Sequence, residues 1–295
     1  MSYAAANLSH GRTRSLPALR ERLLQLGDLP DWPVSRQLDL LETVADSELG
    51  AFLLQHGGLD AYWTDVVVGY RPGDPNASPA ERLLLERLPA AMATRERFAL
   101  STRLLQAALA PDVALGSLPC GTLSDLLALD YRHAPGAQLS GLDLDAAVLA
   151  TARHRAARRG LPVELVQGCA WQTTLPGPLD VLSCHGLSIY EPDSTRLLDL
   201  YRRCAAPLKP GGLLVTSFMT PPPGRPTPSP WRLQALQAED LMLQQVLFSR
   251  LADVRYTAWR THDETQALLR EAGFAEIVFH EDRACLFPVV SARRC

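Results

Sequence analysis

From Asp112 onward the chain alternates short apolar runs with longer amphipathic stretches, and this alternation limits its fold more than any other feature. VALGSL, AQLSGLDL, VELVQG, LDVLSCHG and GLLVTSFM read as strands. Between them, Gly121 to Leu129, DAAVLATARHRAARRG and DSTRLLDLYRRCAAPL read as helices, the last ended by Lys-Pro-Gly-Gly. Strands that alternate with helices predict a mainly parallel sheet covered on both faces. Right-handed crossovers then bring the loops after the strands to one rim. A further helix starts at Thr261 and Glu264, and two closing strands, AEIVFHED and CLFPVVSAR, must pair antiparallel across their short connection. The fold class expected is α/β: a Rossmann-like seven-stranded sheet, mainly parallel with an antiparallel last strand.

The first hundred residues have a different rhythm. LPALRERLLQL and SRQLDLLETVADSELGAFLLQHGG carry leucines at helical spacing, and a Pro/Gly/Asn-rich break at YRPGDPNASP precedes two more helical runs. The expected organisation is a helical cap or lid over 1–110 and a ligand-binding domain over 111–295. A Pro-rich helical insert is expected at about 220–258.

The 295 residues are 47% hydrophobic with a net charge of -3, so a full-sized core forms and no basic stripe invites nucleic acid or an anionic membrane. The start of the chain lacks the apolar core of a signal peptide, and the longest apolar runs have strand length. The six cysteines include no Cys-x-x-Cys pair, which suits reduced thiols and predicts no metal site. A cytoplasmic location is expected.

In an open parallel sheet, ligands collect beyond the carboxyl ends of the strands. Four strand ends here carry polar or small residues. The first holds Ser117, Leu118, Pro119 and Gly121, where a glycine before a helix lets backbone approach a ligand. The second holds Asp143, Leu144 and Asp145. Asp143 lies about 20 residues past the first turn, the spacing at which an acid takes ribose hydroxyls, while Asp145 suits the helix N-cap. The third holds Cys169, Ala170 and Trp171, a frame for an adenine or simply a packed tryptophan. The fourth is the most polar and holds Cys184, His185, Ser188 and Tyr190. His185 is a candidate general base, hydrogen-bond donor or positioning residue, and the ring of Tyr190 suits a cationic ligand.

Together these segments resemble the class I S-adenosylmethionine (SAM)-dependent methyltransferases. Leu118-Pro119-Cys120-Gly121-Thr122 stands at the place of the family's Gly-x-Gly loop. Gly141-Leu142-Asp143-Leu144-Asp145 matches its second-strand acidic motif, Gly168-Cys169-Ala170 its adenine-side motif, and Leu208-Lys209-Pro210-Gly211-Gly212 the entry to its fifth strand. The chain departs from the pattern where Ser117 replaces an acid, Pro119 and Leu123 replace glycines, and Cys169 stands where an Asp is usual. The resemblance implies SAM as cofactor and a small-molecule substrate.

Methyl transfer to a small acceptor is the first expectation. Tyr62, Trp63, Tyr70 and Arg71 flank the Pro/Gly break as candidate lid residues, Arg71 as a partner for a carboxylate. The second expectation is cyclisation of SAM as sole substrate, because the segments around Tyr190 and Ser217 are similar to the azetidine-2-carboxylate synthases. There Tyr190 would shield the sulfonium, and Ser217, Ser188 or His185 would orient the amine. The third is SAM binding without catalysis. A nicotinamide oxidoreductase is disfavoured, since its Gly-x-Gly-x-x-Gly turn is absent. A homodimer through the N-terminal helices is a further expectation.

Overall fold

The computed structural model describes residues 13–254 and 258–295, and these divide into two compact units. One unit comprises the described residues up to Arg95 together with those from Arg232 to 254. The other comprises Glu96–Trp231 and Ala258–Cys295.

The first unit is helical: α1 (Leu16–Leu26), α2 (Val34–Ala45), α3 (Glu48–His56), α4 (Ala61–Gly69), α5 (Pro79–Arg82) and the start of α6 (Pro89–Ala107). The helical-spaced stretch SRQLDLLETVADSELGAFLLQHGG forms two helices, because the Ser47 side chain accepts the Gly50 amide and starts α3 afresh. Ser78 and Glu81 form a reciprocal capping box at α5. The insert joins this core: Leu243, Val246, Leu247 and Leu251 pack with Leu19, Leu41, Leu53 and Leu85.

The second unit is built on a seven-stranded sheet. Its elements are β1 (Ala114–Ser117), α7 (Ser124–Leu127), β2 (Gln138–Asp143), α8 (Ala146–Arg158), β3 (Val163–Gln167), β4 (Leu179–Cys184), α9 (Ser194–Ala205) and β5 (Leu208–Ser217). After α10 (Ala238–Val246) of the insert come α11 (His262–Glu271), β6 (Phe274–His280) and β7 (Val289–Arg294). The strand order is β3-β2-β1-β4-β5-β7-β6, with β7 antiparallel to both its neighbours and β1 to β5 parallel. The Rossmann-like sheet expected from the alternation is the one observed.

Alternation along each strand sorts side chains to two faces. Leu182, Leu214 and Val290 face the cluster containing Leu197, Tyr201 and Cys204 of α9 and Leu269 of α11. Val181, Leu213, Val215 and Val289 face the cluster containing Leu105 of α6, Leu126 of α7 and Leu149 and Ala152 of α8. Helices therefore cover both faces, as a parallel sheet with hydrophobic strands requires.

Two boundaries differ from the sequence reading. The helix expected over Gly121 to Leu129 shrinks to Ser124–Leu127, because Leu123 takes a left-handed conformation (φ 62°) and holds the preceding loop out of the helix. Lys-Pro-Gly-Gly lies inside β5 as an irregularity between the Leu179 and Val181 pairings, not as a helix stop.

Candidate functional site

The register places Gly141, Ser117, Ser183 and Val215 side by side across four strands. The strand order reverses between β1 and β4, which makes this rim the expected ligand crevice.

The loop after β1 is stitched to both neighbours. The Leu118 amide donates to the Ser183 carbonyl at 2.9 Å and the Cys120 amide to the Leu142 carbonyl at 2.8 Å, around a cis Leu118-Pro119 bond. Gly141 permits this close approach, since a Cβ there would sit 2.8 Å from the Cys120 sulfur. Asp143 fastens the same loop: one oxygen accepts the Gly121 amide at 2.9 Å, the other the Asp145 amide at 3.0 Å. Burial raises the Asp143 pKa, against the backbone amides that lower it. Asp145 caps α8 by accepting from Ala147, as its position in the sequence suggested. Leu144 contributes its carbonyl to Gln167 at 3.3 Å.

Ser117, standing where an acid was expected, donates to Asp125 at 2.8 Å. Asp125 also accepts the Leu126 amide, and burial raises its pKa. α7 thus brings a carboxylate against the Ser117 hydroxyl. Sequence reasoning missed it because the turn at the left-handed Leu123, which brings α7 back to Ser117, leaves no local pattern.

At the third strand end, the Cys169 carbonyl accepts the Gln172 and Thr173 amides, each at 2.8 Å. Ala170 is buried, and the half-buried Trp171 ring lies 5.5 Å from the Arg196 guanidinium. Cys184 is buried in the same cluster as Cys204 of α9, so its thiol belongs to the core beneath the rim.

The fourth and fifth strand ends form one hydrogen-bonded chain. His185 Nδ1 lies 2.9 Å from the Ser217 hydroxyl, and its Nε2 lies 2.9 Å from the Ser101 hydroxyl on α6. A neutral imidazole has one donor and one acceptor, and the two rotatable hydroxyls complement either tautomer. Burial, reinforced by the charge of Arg97, pushes the His185 pKa down to about 3. Ser188 donates to the Ser217 carbonyl at 2.9 Å, so its hydroxyl clamps the turn to β5. Tyr190 closes the same turn, with a pKa raised by burial to about 12. The buried Arg260 donates to the carbonyls of Ser188 and Glu191, which fixes this turn from behind.

Arg97 and Ser101, both on α6, were not anticipated. Their spacing puts them on one helix face, and the only signal in the sequence was an Arg and a Ser four residues apart. Tyr70 and Arg71 lie in the first unit. The Tyr70 hydroxyl donates to Glu86 at 2.5 Å, Tyr70 is raised to about 12 by burial and that bond, and Arg71 is exposed. Among the described residues, His262, Glu281 and Cys285 bring three donor atoms within 4.8 Å, a grouping that the scattered cysteines did not announce.

Residues 117–212 match the family model of a methyltransferase domain. The chain is 47% identical to a protein of Bordetella parapertussis described as a possible exported protein, covering 95% of this chain and 94% of that one, with a TM-score of 0.91. The fold is also that of the SAM-dependent methyltransferase SibL in its apo form (18% identity, 94% and 74% covered, TM-score 0.54). Magnesium protoporphyrin IX methyltransferase ChlM from Synechocystis PCC 6803, solved with bound SAH, is similar at 14% identity, 76% and 90% covered and a TM-score of 0.51. A search of curated proteins finds no match. No helix among the described residues is long and apolar enough to cross a membrane. The chain shares a family with the Bordetella parapertussis protein, and its residues 117–212 form a domain that matches the methyltransferase model.

Proposed function

We propose that the chain binds SAM at the carboxyl rim of the sheet and transfers its methyl group to a small acceptor. The observation that carries this reading is Asp143, held at the end of β2 with one backbone amide on each carboxylate oxygen. A carboxylate has about four lone-pair sites, so both oxygens retain capacity for ribose hydroxyls. Cys169, Ala170 and Trp171 stand at the next strand end, where an adenine would lie. Bound SAM supplies a sulfonium flanked by electrophilic carbons. The chain supplies a weakly solvated wall, made of neutral His185, Tyr190 and Ser217, on which dispersal of positive charge is favoured and water is excluded.

One observation favours a second reading. His185 has both ring nitrogens engaged and stays neutral far below pH 7, so it provides no general base for an acceptor hydroxyl. A substrate amine needs no such base. In cyclisation the α-ammonium first gives a proton to solvent; the neutral nitrogen then forms a bond to the γ-carbon as the γ-carbon–sulfur bond breaks and methylthioadenosine leaves. Ser217 would orient that nitrogen and Tyr190 would cover the sulfonium.

Incubation of the purified protein with SAM alone, followed by mass spectrometry, separates the readings. Methyl transfer predicts S-adenosylhomocysteine only once an acceptor is added. Methylthioadenosine with a cyclic amino acid, from SAM alone, would replace it with the cyclase reading. Tight binding without either product would leave a SAM-binding protein without catalysis.

A further inference from the structure

We propose that the Arg97 guanidinium is the receptor for the carboxylate of the bound amino-acid moiety, so that this end is held from α6 and not from the loop after β1. The proposal rests on the SAM reading above and adds to it the group that fixes the ligand's far end.

Two independent observations converge. The first concerns the loop. A loop that cradles an anion does so with free backbone amides. Here the Leu118 amide is given to Ser183, Cys120 to Leu142, Gly121 to Asp143 and Leu123 to Cys120, and Pro119 has none. These spent amides cannot also take a carboxylate.

The second concerns Arg97 itself. Ser101, one turn further along α6, meets His185 at 2.9 Å, so the face that carries Arg97 looks onto the ends of β4 and β5. The groups that feel its charge are His185 and Tyr190, neither of them an anion at neutral pH. Among the described residues Arg97 makes no hydrogen bond and no ion pair. Other arginines of this unit differ. Arg155 donates to Ser124, Arg260 to the Ser188 and Glu191 carbonyls, and Arg196 pairs with Glu191 at 3.0 Å. The acid next to Arg97, Glu96, is taken by the Arg283 amide at 2.7 Å. Arg97 retains accessible surface, yet enough protein surrounds it to lower its pKa to about 10. A desolvated cation without a counter-ion is costly, and a carboxylate that meets the guanidinium fork in two parallel bonds removes that cost.

With the nucleoside at Asp143 on β2, the aminocarboxypropyl chain extends past β1 toward β4 and β5. Arg97 therefore takes its carboxylate where Tyr190 and Ser217 stand. The geometry explains how a first loop without the usual glycines remains compatible with an intact ligand site.

The test is calorimetric titration of the full chain and of Arg97→Met and Arg97→Lys, with SAM and with decarboxylated SAM. The parent protein is expected to prefer SAM by about 10- to 100-fold. Arg97→Met is expected to lose that preference by weakening SAM alone, with Arg97→Lys in between. The ligand-free melting temperature of Arg97→Met should hold or rise, because an unpaired, partly desolvated charge has been removed; a purely structural arginine would lower it. If Arg97→Met keeps full affinity and full preference for SAM, the receptor assignment is overturned while the SAM reading stands. If the parent protein binds neither compound, the SAM reading fails and this assignment falls with it.

Discussion

The Gly121 amide donates to Asp143 Oδ2 at 2.9 Å, which ties the loop after β1 to the end of β2. The acid expected to receive a ribose is therefore also what shapes the neighbouring loop. Asp143→Ala removes acceptors from two amides, at about 1–3 kcal/mol of stability, and should weaken SAM binding roughly tenfold or more. Chemical denaturation and calorimetry measure the two effects separately. Asp143→Asn keeps one acceptor oxygen and is expected to recover more stability than affinity.

That dual role shows how far the sequence could be read. The strand ends were legible because period-two runs closing on Gly, Asp or His are local patterns. The capping acids Asp145 and Glu264 were legible for the same reason. Asp125 was not, since a left-handed Leu123 inside an apolar run has no compositional signature. Arg97 and Ser101 were hidden because an Arg and a Ser on a helix read as solvent-facing until the helix is packed. The grouping of the insert with the N-terminal helices depends on tertiary packing of leucines, and periodicity alone does not specify partners.

His185 gives a pH prediction with a definite sign. Its folded pKa, about 3, lies below the ordinary 6.5. The unfolded chain then binds the extra proton between these values, so its contribution is complete above pH 6.5 and is lost as pH falls toward 3. The loss approaches about 1.4 kcal/mol per pH unit. Urea midpoints at pH 6.5 and pH 5 should converge between the parent protein and His185→Asn on acidification. A constant gap would show that the imidazole titrates normally. His262 and His280, also lowered by burial, are common to both proteins and cancel in the comparison.

Arg260 acts on chemistry only through the turn it holds. Arg260→Met leaves the Glu191 carbonyl without its donor and the Ser188 carbonyl with only the Glu191 amide at 3.4 Å, at about 1–3 kcal/mol. Once the turnover reaction is in hand, kcat should fall more than SAM affinity, because Tyr190 loses its fixed position while Asp143 is untouched. An equal fall in both would place Arg260 in the binding machinery instead.

Gly141→Ala tests the close approach of loop and strand. The added Cβ would sit 2.8 Å from the Cys120 sulfur and 3.0 Å from Leu165 Cδ2. The overpacking should cost about 1–3 kcal/mol and shift the loop that Asp143 fastens. Thermal melts with and without SAM check it: the melting temperature should drop, and the stabilisation by SAM should shrink. Unchanged melts would mean that Cys120 yields freely.

Hydrogen–deuterium exchange of the full chain, with and without saturating SAM, tests the central claim most directly. The account predicts slowed exchange in the segments 117–124, 141–145, 168–171 and 184–190, the loops along one rim of the sheet. Protection confined to the opposite rim or to the helical unit, or no change at saturation, would contradict it.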